Sequence, residues 1–162
     1  MARNSYEINY ARLEALMGQP LPSLRFETVF RLRASGFMDL TVERLPDCFE
    51  TGGIVLSLAH YFVQNGDLCQ DPEMTVRLFP PGLAIFQQLA PSTDLTLGRV
   101  EALSFQQASP PIYQRVYPQP GSYYRSLRRD LNSFLGLWLR NLEDQSHRPF
   151  EPDWVPDPAP PL

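Results

Sequence analysis

Residues 60–74 read HYFVQNGDLCQDPEM, and this stretch indicates the fold of the chain more clearly than any other. The Asn-Gly-Asp turn at residues 65–67 separates two apolar runs, which is a strong short-range signal for a turn between paired strands. Residues 53–63 are apolar at both alternating sets of positions, which indicates a strand covered on both faces. Residues 74–78 alternate apolar and polar side chains. The stretch therefore predicts two neighbouring central strands of a sheet.

Alternating patterns on either side of this stretch predict the remaining strands. Residues 24–32 alternate large apolar side chains with arginine and glutamate, and residues 38–42 follow after a Ser-Gly turn, so the two segments indicate a hairpin. Three later segments follow turns that contain proline or glycine: residues 83–89, 100–107 and 112–117. Together these segments predict an antiparallel, meander-like sheet of six or seven strands.

Two amphipathic segments predict helices at the ends of the domain. Tyr6, Tyr10, Leu13 and Met17 share one stripe of the first helix, which ends at Gly18. The second and longer helix carries apolar residues at helical spacing: Leu127, Leu131, Phe134, Leu135, Trp138, Leu139 and Leu142. Burying this second stripe against the sheet contributes on the order of 10 kcal/mol before entropy is subtracted. The predicted fold class is therefore α+β, with both helices flanking the sheet.

The length and the C-terminal composition indicate one domain and a tail. A chain of 162 residues suffices for one core, which we assign to residues 1–148. Residues 149–162 contain six prolines and three acidic residues, which predicts an extended tail that is either polyproline II or disordered. Within it, Trp154 either anchors the tail on a partner as a docking peptide or packs on its own domain.

The composition excludes several chemistries. All 14 cationic residues are arginine, so the chain has no lysine for a Schiff base, a phosphate-binding loop or a carboxylate-lysine nuclease site. The formal net charge of −4 argues against a surface that binds nucleic acid throughout, although a local basic patch is compatible with it. No apolar run is long enough to span a membrane and the N-terminus does not resemble a signal peptide, so we expect a cytoplasmic protein without a membrane partner.

The first candidate site lies in the stretch quoted above. His60, Asp67, Asp71 and Glu73 supply imidazole and carboxylate groups, which are suitable ligands for a hard or borderline divalent metal ion. The spacing matches no particular metal-binding motif. The alternative is structural: the aspartates cap the turn through their own side chains, and His60 is hydrogen-bonded on an apolar strand face.

The second candidate site interleaves tyrosine and arginine before and within the start of the long helix. Its members are Tyr113, Arg115, Tyr117, Tyr123, Tyr124, Arg125, Arg128 and Arg129. These residue types are enriched in protein interfaces, and they also stack on bases and pair with phosphates in complexes with single-stranded nucleic acid. Three interpretations therefore stay open: a structural role, a protein interface and a nucleic-acid or nucleotide site.

Two segments resemble an uncharacterised bacterial family. They read LAHYFVQNGDLCQDPEM at residues 58–74 and FLGLWLRNLEDQSH at residues 134–147. The family is a domain of unknown function found on plasmids and integrative elements, and the resemblance covers about residues 36–147. A second uncharacterised family of small bacterial proteins is similar at residues 9–13, 74–78 and 132–139. Neither resemblance implies a reaction or a cofactor, but the first implies an accessory protein of a mobile element that counters or regulates a host system.

We therefore expect a non-catalytic binding or regulatory protein that needs no cofactor and acts through protein-protein contacts. The contact residues are those of the tyrosine-arginine segment together with Trp154. A metal-assisted hydrolase or nuclease that uses the residues of the first candidate site is one alternative, and a binder of single-stranded nucleic acid or nucleotides is another. Open strand edges are compatible with a homodimer.

Overall fold

The structure is a computed structural model that describes residues 3–26, 28–46, 53–82 and 97–150. In chain order its elements are α1 (Ser5–Met17), a 3₁₀ turn (Leu21–Ser23), β1 (Val29–Arg33), β2 (Leu40–Leu45), β3 (Ile54–Gln64), β4 (Asp67–Phe79), β5 (Arg99–Gln107), β6 (Ile112–Arg115), α2 (Arg125–Asp144) and β7 (Arg148–Pro149). The predicted α+β class, with one helix before and one after an antiparallel sheet, is confirmed.

The seven described strands form a single sheet in the order β6-β5-β4-β3-β2-β1-β7. Each of the first five pairs antiparallel with the next described strand along the chain, which confirms the predicted meander. The seventh strand forms after α2, where Pro149 pairs with Leu32 and Arg148 with Arg33 on the far side of β1. The sheet thus includes the first residue that we assigned to the tail, and residues 151–162 lie outside the described ranges.

Two strand boundaries differ from the sequence predictions. The 3₁₀ turn at Leu21–Ser23 delays the first strand, which begins at residue 29 rather than 24. β4 begins directly after the Asn-Gly turn, so Asp71 and Pro72 lie inside a strand and not in a turn. The register shifts there and the two residues lie opposite one residue of β3, which forms a β-bulge. A bulge accommodates proline because the ladder needs no N–H at that position. The strand predicted at residues 83–89 falls outside the described residues.

The hydrophobic core lies between the two helices and one face of the sheet. β3 and β4 contribute fully buried side chains such as Leu58 and Met74, and α1 contributes Leu13. The apolar stripe predicted for α2 is confirmed by five buried residues: Leu131, Leu135, Trp138, Leu139 and Leu142. The two helices therefore cover one face of the sheet, and all three share a common core.

Buried amides fix the two helices to each other and to β5. The Asn9 side chain on α1 donates from Nδ2 to the Asn132 backbone carbonyl on α2 at 3.3 Å, and Asn132 Oδ1 accepts from the Ala102 N–H at 2.9 Å. Gly136 allows the close approach, because a Cβ there would lie 3.1 Å from Asn9 Oδ1. Tyr6, one turn before Asn9, contacts Arg128, one turn before Asn132. The helices therefore run in the same direction, and their first turns meet beside β5.

Candidate functional site

A buried carboxylate organises the corner where the two helices begin. The Oε2 atom of Glu101 on β5 accepts two hydrogen bonds from Arg77, one from Nε at 3.0 Å and one from Nη2 at 2.9 Å. Its other oxygen, Oε1, accepts from Arg128 Nε at 2.9 Å and from the Tyr117 hydroxyl. Burial, followed by the hydrogen bond to Glu101 and its negative charge, raises the pKa of Tyr117 to about 12, so the phenol stays neutral and donates. The carboxylate is fully satisfied and joins two guanidinium groups.

Two aromatic rings lie close to the Arg128 guanidinium. Its central carbon lies 5.4 Å from the ring centroid of Tyr6 and 5.0 Å from that of Tyr123, within the range of cation–π attraction. The side chain keeps 32% of its surface exposed. The hydrogen bond to Glu101 therefore fixes Arg128 Nε beside the two rings, while the side chain stays partly exposed to solvent.

A cationic pocket opens in front of Arg128. It has a volume of about 220 Å³, and its lining comprises Ser5, Tyr6, Tyr123, Arg125, Arg128, Arg129, Asn132 and Ser133. We call these eight residues the arginine-tyrosine pocket. The lining includes three arginines and no acidic residue. A smaller pocket of about 70 Å³ shares Tyr6 and Arg128 with it and is also lined by Phe79, Arg99 and Glu101.

The remaining arginines of the pocket are not neutralised to a comparable degree. Arg125 has no ion pair within the described ranges. Arg129 pairs with the neighbouring Asp130 at 3.3 Å, but both side chains are largely exposed, and such pairs contribute little. The first turn of α2 contains no acidic residue, and its N-cap residue Tyr124 makes no side-chain capping bond. The corner is therefore locally positive in a chain of net negative charge.

The structure brings together part of the predicted tyrosine-arginine segment. Five members lie in or beside the pocket, either in its lining or bound to Glu101: Tyr117, Tyr123, Arg125, Arg128 and Arg129. Tyr113 and Arg115 are exposed on β6, and Tyr124 is exposed at the start of α2, and none of these three lines the pocket. Trp154 lies outside the described residues.

Three residues that complete this site, Tyr6, Arg77 and Glu101, lie outside the predicted tyrosine-arginine segment. Tyr6 was assigned to the buried stripe of the first helix, and its ring instead contacts Arg99 and Arg128. Arg77 and Glu101 occupy directly opposed positions on β4 and β5. Opposite charges at facing positions of two neighbouring strands indicate such a pair. Recognising that two positions face each other requires the strand register.

His60 serves a structural role on the helix-facing side of β3. Its Nε2 accepts a hydrogen bond from Trp138 Nε1 at 3.2 Å, so the ring proton is on Nδ1, which donates to the Asp39 carbonyl at 2.9 Å. His147 Nε2 donates to the carbonyl of Met38, the residue before Asp39, at 2.9 Å. The ring centroids of His60 and His147 are 6.0 Å apart. Both histidines therefore hold the segment between β1 and β2 against the core.

The four predicted metal ligands do not form a metal site in the described structure. Both ring nitrogens of His60 are engaged, and Glu73 lies on the opposite sheet face because it pairs with Ala59, the residue next to His60. Asp67 and Asp71 are exposed along β4. Across residues 3–26, 28–46, 53–82 and 97–150, no group of three or more His, Cys, Asp or Glu side chains could hold a metal ion. Strand alternation separates the imidazole from the carboxylates.

Acidification should destabilise the protein through His60. Burial lowers the pKa of this imidazole, whereas in the unfolded chain it protonates near its ordinary value of about 6.5. The unfolded state therefore binds more protons below that pH, so the contribution of neutral His60 to stability is complete above a pH of about 6.5 and is lost progressively as pH falls from there to the lowered pKa of the folded state. The slope should be at most about 1.4 kcal/mol per pH unit.

Urea unfolding at several pH values between about 7.5 and 5.5 measures this dependence, with a His60→Gln variant as the non-titrating comparison. We expect the variant to be less stable at neutral pH and to show a flatter pH profile. Parallel profiles for the two proteins would contradict the assignment of the titration to His60.

The fold and the pocket define an α+β protein with a seven-stranded antiparallel sheet in its described ranges and a cationic corner where its two helices begin. The model of a family described as "Domain of unknown function (DUF6908)" matches residues 9–148, and the chain belongs to this family. The match includes Arg125, Arg128 and Glu101 but begins after Tyr6. No curated protein and no solved structure matches the chain. None of the described helices is long and apolar enough to cross a membrane.

Proposed function

We propose that this protein is a non-catalytic binding protein that contacts another protein through the arginine-tyrosine pocket. The observation that carries the proposal is the lining itself, which presents three arginines without an acidic residue in a chain of net charge −4. Arginine and tyrosine are enriched in protein interfaces, and a positive corner on a negative protein favours an acidic partner surface.

The pocket offers little support for catalysis. Among its described lining residues, the hydroxyls of Ser5 and Ser133 have no histidine, cysteine or carboxylate beside them to act as a base. His60 and His147 are buried elsewhere, in contact with backbone carbonyls. Binding without turnover is therefore the function that this geometry supports best.

The resemblance of residues 58–74 and 134–147 adds a biological setting to the proposal. In that setting the protein is a bacterial, cytoplasmic accessory protein of a mobile element, and its partner belongs to a host system that the element counters or regulates. The proposed partner surface is acidic, because it must complement three arginines.

Capture from extracts of the native organism tests the proposal when it is combined with matched variants. Three forms of the full chain are crosslinked and analysed by mass spectrometry: the unmodified protein, Arg125→Ala with Arg129→Ala, and Arg140→Ala. Arg140 is exposed on α2 but does not line the pocket, so it controls for loss of one surface arginine.

We expect one partner to be recovered equally by the unmodified protein and the control, and to be reduced about tenfold or more with the double variant. Equal recovery by all three forms would refute the pocket as the contact surface. Recovery that disappears after nuclease treatment would instead support the nucleic-acid alternative and refute a protein partner.

A further inference from the structure

We infer that the arginine-tyrosine pocket binds a single oxyanion group, a carboxylate or a phosphate monoester, carried on one side chain of the partner. This inference rests on the proposed function and specifies what its surface recognises. The lining includes three arginines of α2 and two residues that carry hydroxyl groups, Ser5 and Ser133. Guanidinium forks match the geometry of carboxylate and phosphate oxygens.

Arg128 is prepared for such a ligand before binding. Arg128 donates from Nε to Glu101, and among the described residues neither terminal nitrogen of Arg128 makes a hydrogen bond. The rings of Tyr6 and Tyr123 both lie within cation–π range of the same guanidinium. Two N–H₂ groups are therefore fixed in orientation and available to a ligand, which lowers the entropy lost on binding.

The charge of this corner is not cancelled by the residue that orients Arg128. Glu101 is shared between Arg128 and Arg77, so its single negative charge is opposed by two guanidinium groups. Arg125 and Arg129 add positive charge at the mouth of the pocket, offset only by the exposed Asp130. An oxyanion that enters the pocket therefore meets more positive than negative charge. The buried Glu101 orients Arg128 before the oxyanion binds.

The size of the pocket selects a side chain over a larger ligand. Its volume of about 220 Å³ is below the approximate range of 300–1,000 Å³ for sites that enclose a drug-sized molecule. A whole nucleotide would extend outside the pocket, whereas the end of an acidic or phosphorylated side chain would fit within it. Ring faces of both tyrosines are also already directed at Arg128, which leaves less aromatic surface for a base.

Nuclear magnetic resonance of the arginine side chains tests the inference directly on the full chain. The Nε–H signals of arginine are followed while inorganic phosphate or acetate is added, and sodium chloride at matched ionic strength is the reference. We expect saturable shifts for Arg125, Arg128 and Arg129 with phosphate or acetate, no saturation with chloride, and no saturable change at Arg140. Saturation with neither phosphate nor acetate would overturn the inference.

Variants and peptides identify the source of the oxyanion. Arg125→Gln with Arg129→Gln should weaken phosphate or acetate binding by about tenfold or more, while Arg140→Gln should leave it unchanged. An otherwise identical peptide pair, one with glutamate and one with phosphoserine at its centre, distinguishes a carboxylate from a phosphate, and tighter binding of either supports the inference. Binding of adenosine monophosphate that is tighter than both peptides would overturn the assignment to a side chain.

The outcomes separate this inference from the proposed function. If the anion titrations fail but capture of the partner still depends on Arg125 and Arg129, the pocket is a protein contact without an oxyanion anchor. If the titrations succeed but no protein is captured, the oxyanion site stands and the proposed protein partner does not.

Discussion

Replacing Glu101 with alanine should lower the free energy of unfolding by about 3–5 kcal/mol. The carboxylate is 7% exposed and its partner Arg77 is 12% exposed, so the substitution removes a close negative charge from a guanidinium group in a poorly hydrated position. The Tyr117 hydroxyl and Arg128 Nε lose their acceptor in the same step. Urea denaturation of the variant measures the loss.

Glu143→Ala is the matched control, because Glu143 is exposed on α2 and makes no ion pair with another described residue. We expect the control to change stability by no more than about 0.5 kcal/mol. A loss for Glu101→Ala as small as that of the control would show that the cluster does not organise this corner.

Replacing Trp138 with alanine should cost about 3–5 kcal/mol, the range for truncating a buried aromatic side chain. The indole is 6% exposed, packs beside Phe134 and His60, and donates its N–H to His60. Truncation therefore creates a cavity and leaves the buried His60 Nε2 without a donor. Leu137, the preceding residue, is 54% exposed, so Leu137→Ala is the appropriate control.

Trp138→Phe separates the two contributions. It retains most of the ring but removes the donor, so it should cost about 1–3 kcal/mol, the penalty for an unsatisfied buried polar group. Equal losses for the alanine and phenylalanine variants would contradict a packing role for the indole, and equal losses for Trp138→Ala and Leu137→Ala would contradict its burial.

The fold could be predicted from local patterns where burial is periodic. The stripe of α2 and the alternation at residues 74–78 of β4 each depend on one buried face, and the sequence shows both patterns. β7 was not predicted because Arg148 and Pro149 begin a proline-rich segment, and only a distant edge of β1 makes them a strand. Likewise, Pro72 looks like part of a turn until the register shows that a β-bulge accommodates it.

The site was predictable only in the part that is contiguous in sequence. Residues 123–129 contain four members of the predicted segment that line the pocket: Tyr123, Arg125, Arg128 and Arg129. Glu101 is 27 residues away from Arg128, and Tyr6 belongs to the other end of the chain, so only the strand order and the parallel helices bring them together. Strand alternation turns His60 and Glu73 to opposite faces of the sheet, which ligand types at close sequence spacing do not reveal.

The affinity of the captured partner for the pocket tests the central claim most directly. It is measured for the unmodified protein, for Arg125→Glu with Arg129→Glu, and for Arg140→Glu, between about 0.05 and 0.5 M salt. We expect the unmodified protein and Arg140→Glu to bind alike and to weaken as salt rises, because the contact is between opposite charges. The double variant should bind about tenfold or more weakly at low salt and lose most of this salt dependence. An affinity that is unchanged by the double charge reversal at every salt concentration would contradict the account.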